Sequence, residues 1–418
     1  MEKTQKKNNI FTNTTSVLIA TFAPFDHGIR LPTNGMIEPM LSFFLPKVKK
    51  LFVIIQPHTG SDRIDPIIEE YHDHKLFETW TISKLFYLPL YFFCKFQNDH
   101  KTHISFKLRD LFSVLFIGLS SKKTYSYFIG LESINTIGGI ILRNFGKVEK
   151  VIYYVSDYSP HRFNKQWFNL LYIWLDRFCV LHADYIWDVS PAMQEARVKA
   201  GLQVNKKIKN LIVPNGLFPS QIASLPVAKR LPFSIIFMGT LGYENGPDLV
   251  IETIPLIKKK FPQVRLHIVG GSGKHLERLK QLVKKLQIEK YVIFYGFIQD
   301  SNDMAKIVKK CYVAVAPYRA IPDSVRWYAD ATKIRQYIGS GLPVVTTHVP
   351  PLGKYIVSKG AGIMVSDTKE EMAQGIMKLF SDASLYNKMQ NQAKKLSREN
   401  TWENVYRKAF EEMEQKEL

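Results

Sequence analysis

The strongest constraint on the fold is the alternation of short apolar runs with helix-length amphipathic segments. Between residues 233 and 365 the pattern recurs, with apolar runs such as Val264–Val269, Val313–Pro317 and Pro343–Thr347. Such runs are typical of strands in parallel βαβ units, because helices cover both faces of the sheet. The same alternation precedes residue 216. The sequence therefore predicts an α/β protein with two Rossmann-like domains that face each other across a cleft.

A proline-rich segment separates the two series of strands and helices. Residues 217–232 read LFPSQIASLPVAKRLP, with three prolines and no clear periodicity, which is typical of a linker. We therefore predict an N-terminal domain at 1–216, a C-terminal domain at 233–398 and a C-terminal helix at 399–418. The apolar residues of that helix recur on one face, so it could cross back and pack on the first domain.

The chain is strongly basic, with 57 Lys and Arg against 37 Asp and Glu and a formal charge of +20. An excess of this size suits nucleic acid, an anionic membrane surface or phosphorylated substrates. Many of the lysines lie in predicted helices, where charge runs are usually solvated. No aromatic–basic repeat is present, so nucleic acid is not expected as a partner.

Neither the cysteines nor the apolar runs indicate secretion or membrane insertion. The three cysteines lie far apart without disulfide or zinc spacing, which suits a reducing cytoplasm. The apolar run at 17–23 is interpreted as a first strand rather than a signal peptide. No run reaches the ~20 apolar residues that span a bilayer. The stretches at 85–96 and 108–119 are interpreted as core, with peripheral contact to the inner face of the membrane as the alternative.

The stretch at 312–345 contains the most informative candidate site. Its apolar run, Val313–Pro317, leads into a polar loop beginning with Tyr318 and then into a helix opening as Asp330-Ala-Thr-Lys333. Ligands of open α/β sheets bind beyond the carboxyl ends of strands, beside helix N-termini. A lysine in a first turn opposes the helix dipole unless an anion binds there as well. Lys333 is thus either a phosphate ligand or a solvated surface lysine, and Asp330 is a candidate N-cap.

Two glycine-bearing loops follow strands of the second domain. GTLGYENG begins at Gly239 and VGGSGKH begins at Val269. Either could admit a diphosphate or simply form a turn, and the second departs from the P-loop and dinucleotide-binding spacings. No Asp-x-Asp pair of the kind that holds a metal–nucleotide is present. We therefore expect no metal, with Lys333 and backbone N–H groups neutralising a bound diphosphate.

In the first domain, the polar candidates are one loop and two carboxylates. The loop after the first strand contains Asp26, His27, Gly28 and Arg30. Glycine lets the backbone approach a ligand closely, although an ordinary turn would have the same composition. Glu132 and Asp157 each follow an apolar strand. A carboxylate there can serve as a general base on a substrate hydroxyl, or Asp157 can form a turn before Ser-Pro.

Seven segments in order resemble the family 4 (group 1) type of GT-B glycosyltransferases, which transfer a sugar from a nucleotide diphosphate donor. They are IVPNGL, FMGTLGYENGPDLVIETI, LHIVGGSG, VIFYGFI, YVAVAPY, YIGSGLPVVTT and TWENV. In the first domain only YYVSDYSPHRF and ADYIWDVSPAM are similar to that family. The resemblance implies a GT-B fold, a nucleotide-sugar site in the second domain and an acceptor site in the first.

Four positions depart from the pattern of that family. Tyr328 and Gln336 stand where it has two glutamates, and Thr240 and Asn245 stand where its glycine loop has an arginine and a lysine. A mechanism based on those four groups therefore does not carry over to this chain.

The spacing of Tyr318, Lys333 and Gln336 is instead similar to that of the membrane-associated glucuronosyltransferase of xanthan synthesis. That similarity implies an inverting transfer, with Asp157 as base and Lys333 on the diphosphate. The predicted donor site comprises Gly239, Thr240, Tyr318, Thr332, Lys333 and Gln336. The predicted acceptor site comprises Asp26, His27, Gly28, Arg30 and Glu132.

The resulting prediction is a cytoplasmic, metal-independent glycosyltransferase of the hexosyl type that needs no cofactor. Its donor is a nucleotide-sugar, with a UDP-sugar favoured over a GDP-sugar, and its acceptor is a glycan or a lipid-linked sugar. The alternatives are a nucleotide-sugar epimerase or hydrolase of the same fold, a basic nucleic-acid-binding protein, and a catalytically inactive partner of another transferase.

Overall fold

The computed structural model describes residues 11–416 apart from 13, 32–35, 60, 83–88, 90–103, 204–207 and 272. The apolar stretch at 85–96 therefore lies outside the described residues, except for Pro89. The chain divides into two compact units. The N-terminal unit comprises residues up to Val189, then Gln194–Val213 and Tyr406 onward, and the C-terminal unit comprises Ser190–Met193 and Pro214–Val405.

A mostly parallel sheet forms the centre of the N-terminal unit. The strands of this half of the chain are β1 Ser16–Ala23, β2 Phe25–Asp26, β3 Ile29–Arg30, β4 Lys50–Pro57, β5 Ile67–His72, β6 Lys75–Thr81, β7 Tyr125–Leu131, β8 Val148–Val155, β9 Tyr185–Asp188 and β10 Asn210–Ile212. The eight-stranded sheet has the order β10-β9-β8-β7-β1-β4-β5-β6. Strands β2 and β3 form a separate antiparallel ribbon. The strand order reverses between β1 and β7, which is where doubly wound sheets bind ligands.

Helices cover both faces of this sheet. They are α1 Ile37–Phe44, α2 Ile104–Ser120, α3 Glu132–Asn144, α4 Gln166–His182 and α5 Pro191–Lys199. Val114 of α2 and Ile140 of α3 join one buried cluster with Leu18 and Phe128, and Phe178 of α4 packs against it. On the other face, Phe43 of α1 stacks on Phe410 with ring centroids 6.0 Å apart. Residues alternate between the two faces along each strand, as a sheet buried on both sides requires.

The hairpin of β5 and β6 at the sheet edge was not predicted. Its strands mix polar and apolar residues, and its turn contains no glycine. Asp73 and His74 form the turn with φ of 45° and 70°, the left-handed pair that a tight two-residue hairpin needs. This pairing is antiparallel, so the N-terminal sheet is mixed rather than wholly parallel.

The C-terminal unit is a second doubly wound sheet, wholly parallel. Its strands are β11 Ser234–Met238, β12 Arg265–Val269, β13 Val292–Gly296, β14 Val313–Ala316, β15 Val344–Thr347 and β16 Gly362–Val365. Its helices are α6 Pro247–Ile257, α7 Gly273–Lys285, α8 Ser301–Lys310, α9 Thr332–Gly339, α10 Pro351–Ser358, α11 Lys369–Ser381 and α12 Ala383–Glu399. The strand order β13-β12-β11-β14-β15-β16 is that of dinucleotide-binding Rossmann folds, and it reverses between β11 and β14. The predicted α/β class with two Rossmann-like halves is confirmed.

The stretch at 217–232 packs against the C-terminal unit. Arg230 is buried and donates hydrogen bonds to the carbonyls of Cys311 and Ser340, at 3.0 and 2.8 Å. Just before this stretch, a Cβ on Gly216 would lie 2.6 Å from the backbone nitrogen of Trp402. The glycine of IVPNGL is therefore needed where that segment pairs with TWENV, through a parallel bridge between Leu217 and Thr401.

The last helix, α13 Trp402–Gln415, is divided between the two units. Its residues from Tyr406 onward group with the N-terminal unit. There Phe410 contacts Trp187 edge-on, with ring centroids 5.3 Å apart. The predicted return of the C-terminal helix to the first domain is thus confirmed.

Candidate functional site

Two loops meet at the carboxyl ends of β11 and β14 in the C-terminal unit. Gly239 (φ 129°) leaves β11, and Gly246 (φ 68°) closes the same loop against Pro317, which follows β14. A Cβ on Gly246 would lie 1.7 Å from the Pro317 carbonyl oxygen. Glycine is therefore required there for the close approach of the two loops. This is the topological switch point of the sheet, where open α/β sheets hold their ligands.

The glycines of VGGSGKH support the same place from the next strand. A Cβ on Gly270 would lie 2.3 Å from the carbonyl oxygen of Gly239, and one on Gly271 would lie 2.3 Å from Leu241. Both glycines therefore pack against the loop that begins at Gly239. Ser272 of this motif lies outside the described residues.

Lys333, the second residue of α9, is buried and lies beside Gly239. Only 8% of the residue is exposed, which rules out a solvated surface lysine. Its Nζ lies 4.6 Å from the ring centroids of both Phe237 and Tyr318. A Cβ on Gly239 would lie 3.3 Å from that nitrogen. The Nζ has no hydrogen-bond partner in the described structure, so two aromatic faces are its principal surroundings.

Burial governs the charge of this lysine. Desolvation, and to a smaller extent the cation of Arg326, lower the pKa of Lys333 from 10.5 to about 7, although Glu244 acts in the opposite direction. Because the unfolded lysine keeps its ordinary pKa, the unfolded chain binds more protons between pH 7 and 10.5. This group therefore destabilises the ligand-free fold below pH 7, and the cost is relieved as the pH rises through that window. An anion bound at the Nζ would favour the charged form.

The contribution of Arg326 to this region was not predicted. Arg326 donates to the carboxylate of Glu244 from Nη2 at 2.8 Å and from Nε at 3.2 Å. Glu244 lies in the loop after β11 and Arg326 in the loop after β14, so the pair joins the two loops. The sequence placed Arg326 in a polar strand-to-helix loop without a recognisable motif, and only the fold brings it to Glu244.

Two of the positions that depart from the family pattern contact each other. The side-chain amide of Asn245 donates to Thr240 Oγ1 at 2.7 Å. A neutral hydrogen-bonded pair thus stands at the two positions where the family resemblance implies positive charges. Lys333, at the start of α9, and Arg326, in the loop after β14, supply positive charge to this region instead.

The remaining predicted donor residues lie on or beside α9. Tyr318 is buried, and burial raises the pKa of its hydroxyl. Thr332 is exposed at the helix start, and Gln336 is half-buried one turn later. Lys333 contacts both Gly239 and Tyr318. Helical spacing places Gln336 one turn after Lys333 on the same side of α9.

Asp330 is not the N-cap of α9. That position is Ala331, which makes no side-chain cap. The Asp330 carboxylate instead accepts from Arg335 Nε at 2.7 Å and from the backbone N–H of Asn215 at 2.8 Å. Because the Asp330 carboxylate is engaged by these two donors, it does not cap the helix. The same carboxylate links Asn215 of the IVPNGL segment to Arg335 of α9.

In the N-terminal unit, the predicted loop forms the β2–β3 ribbon. Asp26 and His27 are exposed at its tip, and the backbone N–H of Gly28 donates to Asp62 at 2.9 Å. Arg30 pairs with Glu69 at 3.2 Å and with Glu38 at 3.4 Å. These ion pairs account for Arg30 within the unit, while the ribbon tip is open to solvent.

Glu132 and Asp157 share an arginine beside the carboxyl ends of β7 and β8. Glu132 opens α3 with φ of 65°, a backbone conformation that is uncommon outside glycine and asparagine. Its carboxylate accepts from Ser156 Oγ at 3.0 Å. Burial raises the pKa of Glu132, Arg162 lowers it and Asp157 raises it. Arg162 Nη1 lies 3.2 Å from the Asp157 carboxylate, so two carboxylates and one guanidinium form a cluster.

Within the described part of the chain, no three His, Cys, Asp or Glu side chains converge as metal ligands would. Among the same residues, no helix combines the length and apolarity needed to cross a bilayer.

Together these two Rossmann-like units define a protein of the GT-B fold class. The match to solved structures shows this fold: HepE from Anabaena in complex with UDP superimposes with a TM-score of 0.66 at 15% identity, over 96% of this chain and 100% of that one. Residues 226–396 match the family model described as Glycosyl transferases group 1. The group 1 resemblance of the second domain is thereby confirmed.

Two curated relatives agree with this assignment. An uncharacterized glycosyltransferase of Haemophilus influenzae is 28% identical over 44% of this chain and 48% of its own length. The O-antigen biosynthesis glycosyltransferase WbnH of Escherichia coli is 23% identical over 56% of this chain and 61% of its own length. The chain thus spans about half the length of the curated relatives it matches.

Proposed function

We propose that this protein is a glycosyltransferase that moves a sugar from a nucleotide diphosphate donor to a hydroxyl acceptor. One observation carries the proposal: the buried ammonium of Lys333, at the start of α9, has no hydrogen-bond partner in the described structure. A buried charge without a partner is costly. A diphosphate would supply the missing anion and would also accept from the free N–H groups of the first helical turn.

The donor site of this proposal comprises Gly239, Thr240, Tyr318, Thr332, Lys333 and Gln336. When the sugar–phosphate bond breaks, negative charge grows on the departing diphosphate. A cation held in place by two aromatic rings stabilises that charge without reorganising. Arg326 would be the second cation: on donor binding, its guanidinium would leave Glu244 and pair with the phosphate. Two protein cations can neutralise a diphosphate without a metal ion, which supports metal-independent transfer. We favour a UDP-sugar, because the structurally similar HepE binds UDP.

The acceptor would bind the N-terminal unit, with Asp157 as general base. A hydroxyl is a weak nucleophile until a carboxylate takes its proton. Arg162, whose Nη1 lies 3.2 Å from the Asp157 carboxylate, would orient it. Glu132 and the ribbon residues Asp26, His27, Gly28 and Arg30 would position the acceptor. Direct attack of the activated hydroxyl on the sugar carbon, which the resemblance to the xanthan-type glucuronosyltransferase implies, would invert the configuration of that carbon. The anomeric configuration of the product tests it directly.

We further propose that the acceptor is a glycan or a lipid-linked sugar, used in polysaccharide synthesis at the cytoplasmic face of the membrane. The relative WbnH acts in O-antigen biosynthesis by its name. The net charge of +20 favours an anionic surface.

Titration with UDP, GDP and ADP at two pH values tests the donor site. We expect UDP to bind, with affinity about tenfold lower at pH 8.5 than at pH 7, because the free Lys333 is then mostly neutral and each pKa unit corresponds to a factor of ten. Binding at pH 8.5 should take up a proton, which calorimetry in buffers of different ionisation enthalpy measures.

The matched control is Lys274→Ala. Lys274 is also the second residue of a helix after a glycine-rich turn in the same unit, but it is exposed. This variant should keep both the affinity and its pH dependence. Equal UDP affinity at the two pH values would remove Lys333 from the phosphate site.

Arg326→Gln tests the second cation. We expect UDP affinity to fall by about tenfold, the loss typical of one hydrogen bond to a charged group. Arg326 lowers the pKa of Lys333, so the pH at which binding weakens should also move upward. Calorimetric titrations at several pH values measure both effects.

The control is Arg278→Gln, since Arg278 is an exposed arginine on α7 of the same unit. This variant should change neither the UDP affinity nor the pH at which binding weakens. If Arg326→Gln moved the pH midpoint but left the affinity at low pH intact, Arg326 would act only through the field at Lys333.

A further inference from the structure

The solvent-facing side of α4 is apolar, the reverse of what a surface helix normally shows. Its exposed residues include Trp167, Leu170, Leu171, Trp174 and Leu181. At 3.6 residues per turn these five lie within an arc of about 100°. Trp167 and Trp174 are 56% and 61% exposed. We call these five residues the α4 apolar face.

The opposite side of the same helix is anchored in the N-terminal unit. Cys179 and Val180 are buried, and Asp176 forms an ion pair with Arg197 at 2.8 Å. The buried side of the helix therefore packs on its own domain, and the α4 apolar face lies on the surface of that domain. Two tryptophans and three leucines on one exposed helix face mark an interaction surface.

The charges around the α4 apolar face indicate which kind of partner binds there. Between His161 and His182, Asp176 is the only acidic residue, and it is buried in its ion pair. Arg177 and His182, both exposed, border the apolar face on its two sides by helical spacing. Apolar residues with tryptophan flanked by basic residues are the pattern of helices that lie in a membrane interface. A second copy of this chain would bring the same Arg177 and the same +20 charge against itself, which opposes self-association.

We propose that the α4 apolar face seats the N-terminal unit on an anionic lipid bilayer. The tryptophans and leucines enter the boundary between headgroups and acyl chains, and the guanidinium of Arg177 contacts lipid phosphates. This surface goes beyond the donor and acceptor sites and does not depend on them. It would bring a lipid-linked acceptor to the unit that carries Asp157.

Sedimentation with phosphatidylcholine vesicles, with or without phosphatidylglycerol, tests the proposal. We expect the full-length protein to bind only the vesicles with phosphatidylglycerol, and less tightly at high ionic strength. Tryptophan fluorescence should be quenched by brominated acyl chains. The double variant Trp167→Ser/Trp174→Ser should lose about tenfold or more of the vesicle affinity, since binding scales with buried apolar area.

Phe297→Ser is the control, because Phe297 is 75% exposed in the C-terminal unit and should not affect vesicle binding. UDP titration of the double variant checks its fold and should match that of the unchanged protein. Equal vesicle binding by the double variant, or none by the unchanged protein, would overturn the proposal. So would a dimer in sedimentation velocity that the double variant dissociates. A failed donor site would abolish UDP binding and leave vesicle binding intact, so the two proposals fail separately.

Discussion

Lys333→Met is expected to lower the affinity for UDP by about 10- to 100-fold, the range for loss of one or two hydrogen bonds to a charged group. Methionine keeps most of the side-chain volume between Phe237 and Tyr318, so packing is preserved while the ammonium is removed. The rate of sugar transfer should fall further than the affinity, because charge on the diphosphate is greater in the transition state than in the bound donor. Calorimetry with UDP and a steady-state transfer assay measure the two effects.

The stability of this variant separates a binding role from a structural one. The buried ammonium has no hydrogen-bond partner in the described structure, and its pKa of about 7 shows that the fold disfavours its charge. Lys333→Met should therefore be as stable as the unchanged protein at pH 6, or more stable, in thermal unfolding without ligand. Lys274→Ala should retain UDP affinity and transfer. A destabilised Lys333→Met with normal UDP affinity would mean that the lysine serves the fold alone.

Asp157→Asn is expected to cut transfer by ~100-fold or more while leaving UDP affinity unchanged, because in the proposed mechanism Asp157 takes the proton of the acceptor hydroxyl and makes no contact with the donor. The substitution is isosteric, and the Asp157 side chain is 41% exposed, so the unit should remain folded. Transfer is measured with saturating donor, and UDP affinity by calorimetry.

Glu132→Gln is the decisive companion to Asp157→Asn, because the two carboxylates share Arg162. Burial raises the pKa of Glu132, which makes it the poorer base at low pH and the alternative base at higher pH. If Glu132→Gln, and not Asp157→Asn, removed transfer, the base would be Glu132 and Asp157 its positioning partner. Asp73→Asn, an exposed turn residue in the same unit, should affect neither measurement.

Parallel strands were predictable because their local sequence already reflects burial on both faces. The apolar runs at 125–131 and 313–317 correspond to strands β7 and β14. The β5–β6 hairpin was not predictable in the same way, because its strands are only partly buried and its turn relies on Asp73 and His74 in left-handed conformations. Edge strands of this kind take their pairing from the sheet beside them rather than from their own pattern.

The candidate site shows the same division. Lys333 could be singled out from the sequence, because a lysine in a first helical turn after a strand conflicts with the helix dipole. Arg326 could not, because its contact with Glu244 joins loops that follow different strands. The hydrogen bond of Asn245 to Thr240 likewise joins two residues whose contact could not be predicted from their positions in the sequence.

The sequence by itself determined the class of fold and the alternation of parallel strands with helices after residue 233, and it singled out Lys333 as a candidate phosphate ligand. Periodicity and the position of a charge within a helix are local properties. Tertiary structure decided which side chains lack partners. Burial of the Lys333 ammonium beside Gly239, and exposure of the tryptophans on α4, depend on what packs around each residue. Residues that are distant in the sequence but adjacent in space determine how far a side chain is desolvated, so its desolvation cannot be predicted from the local sequence.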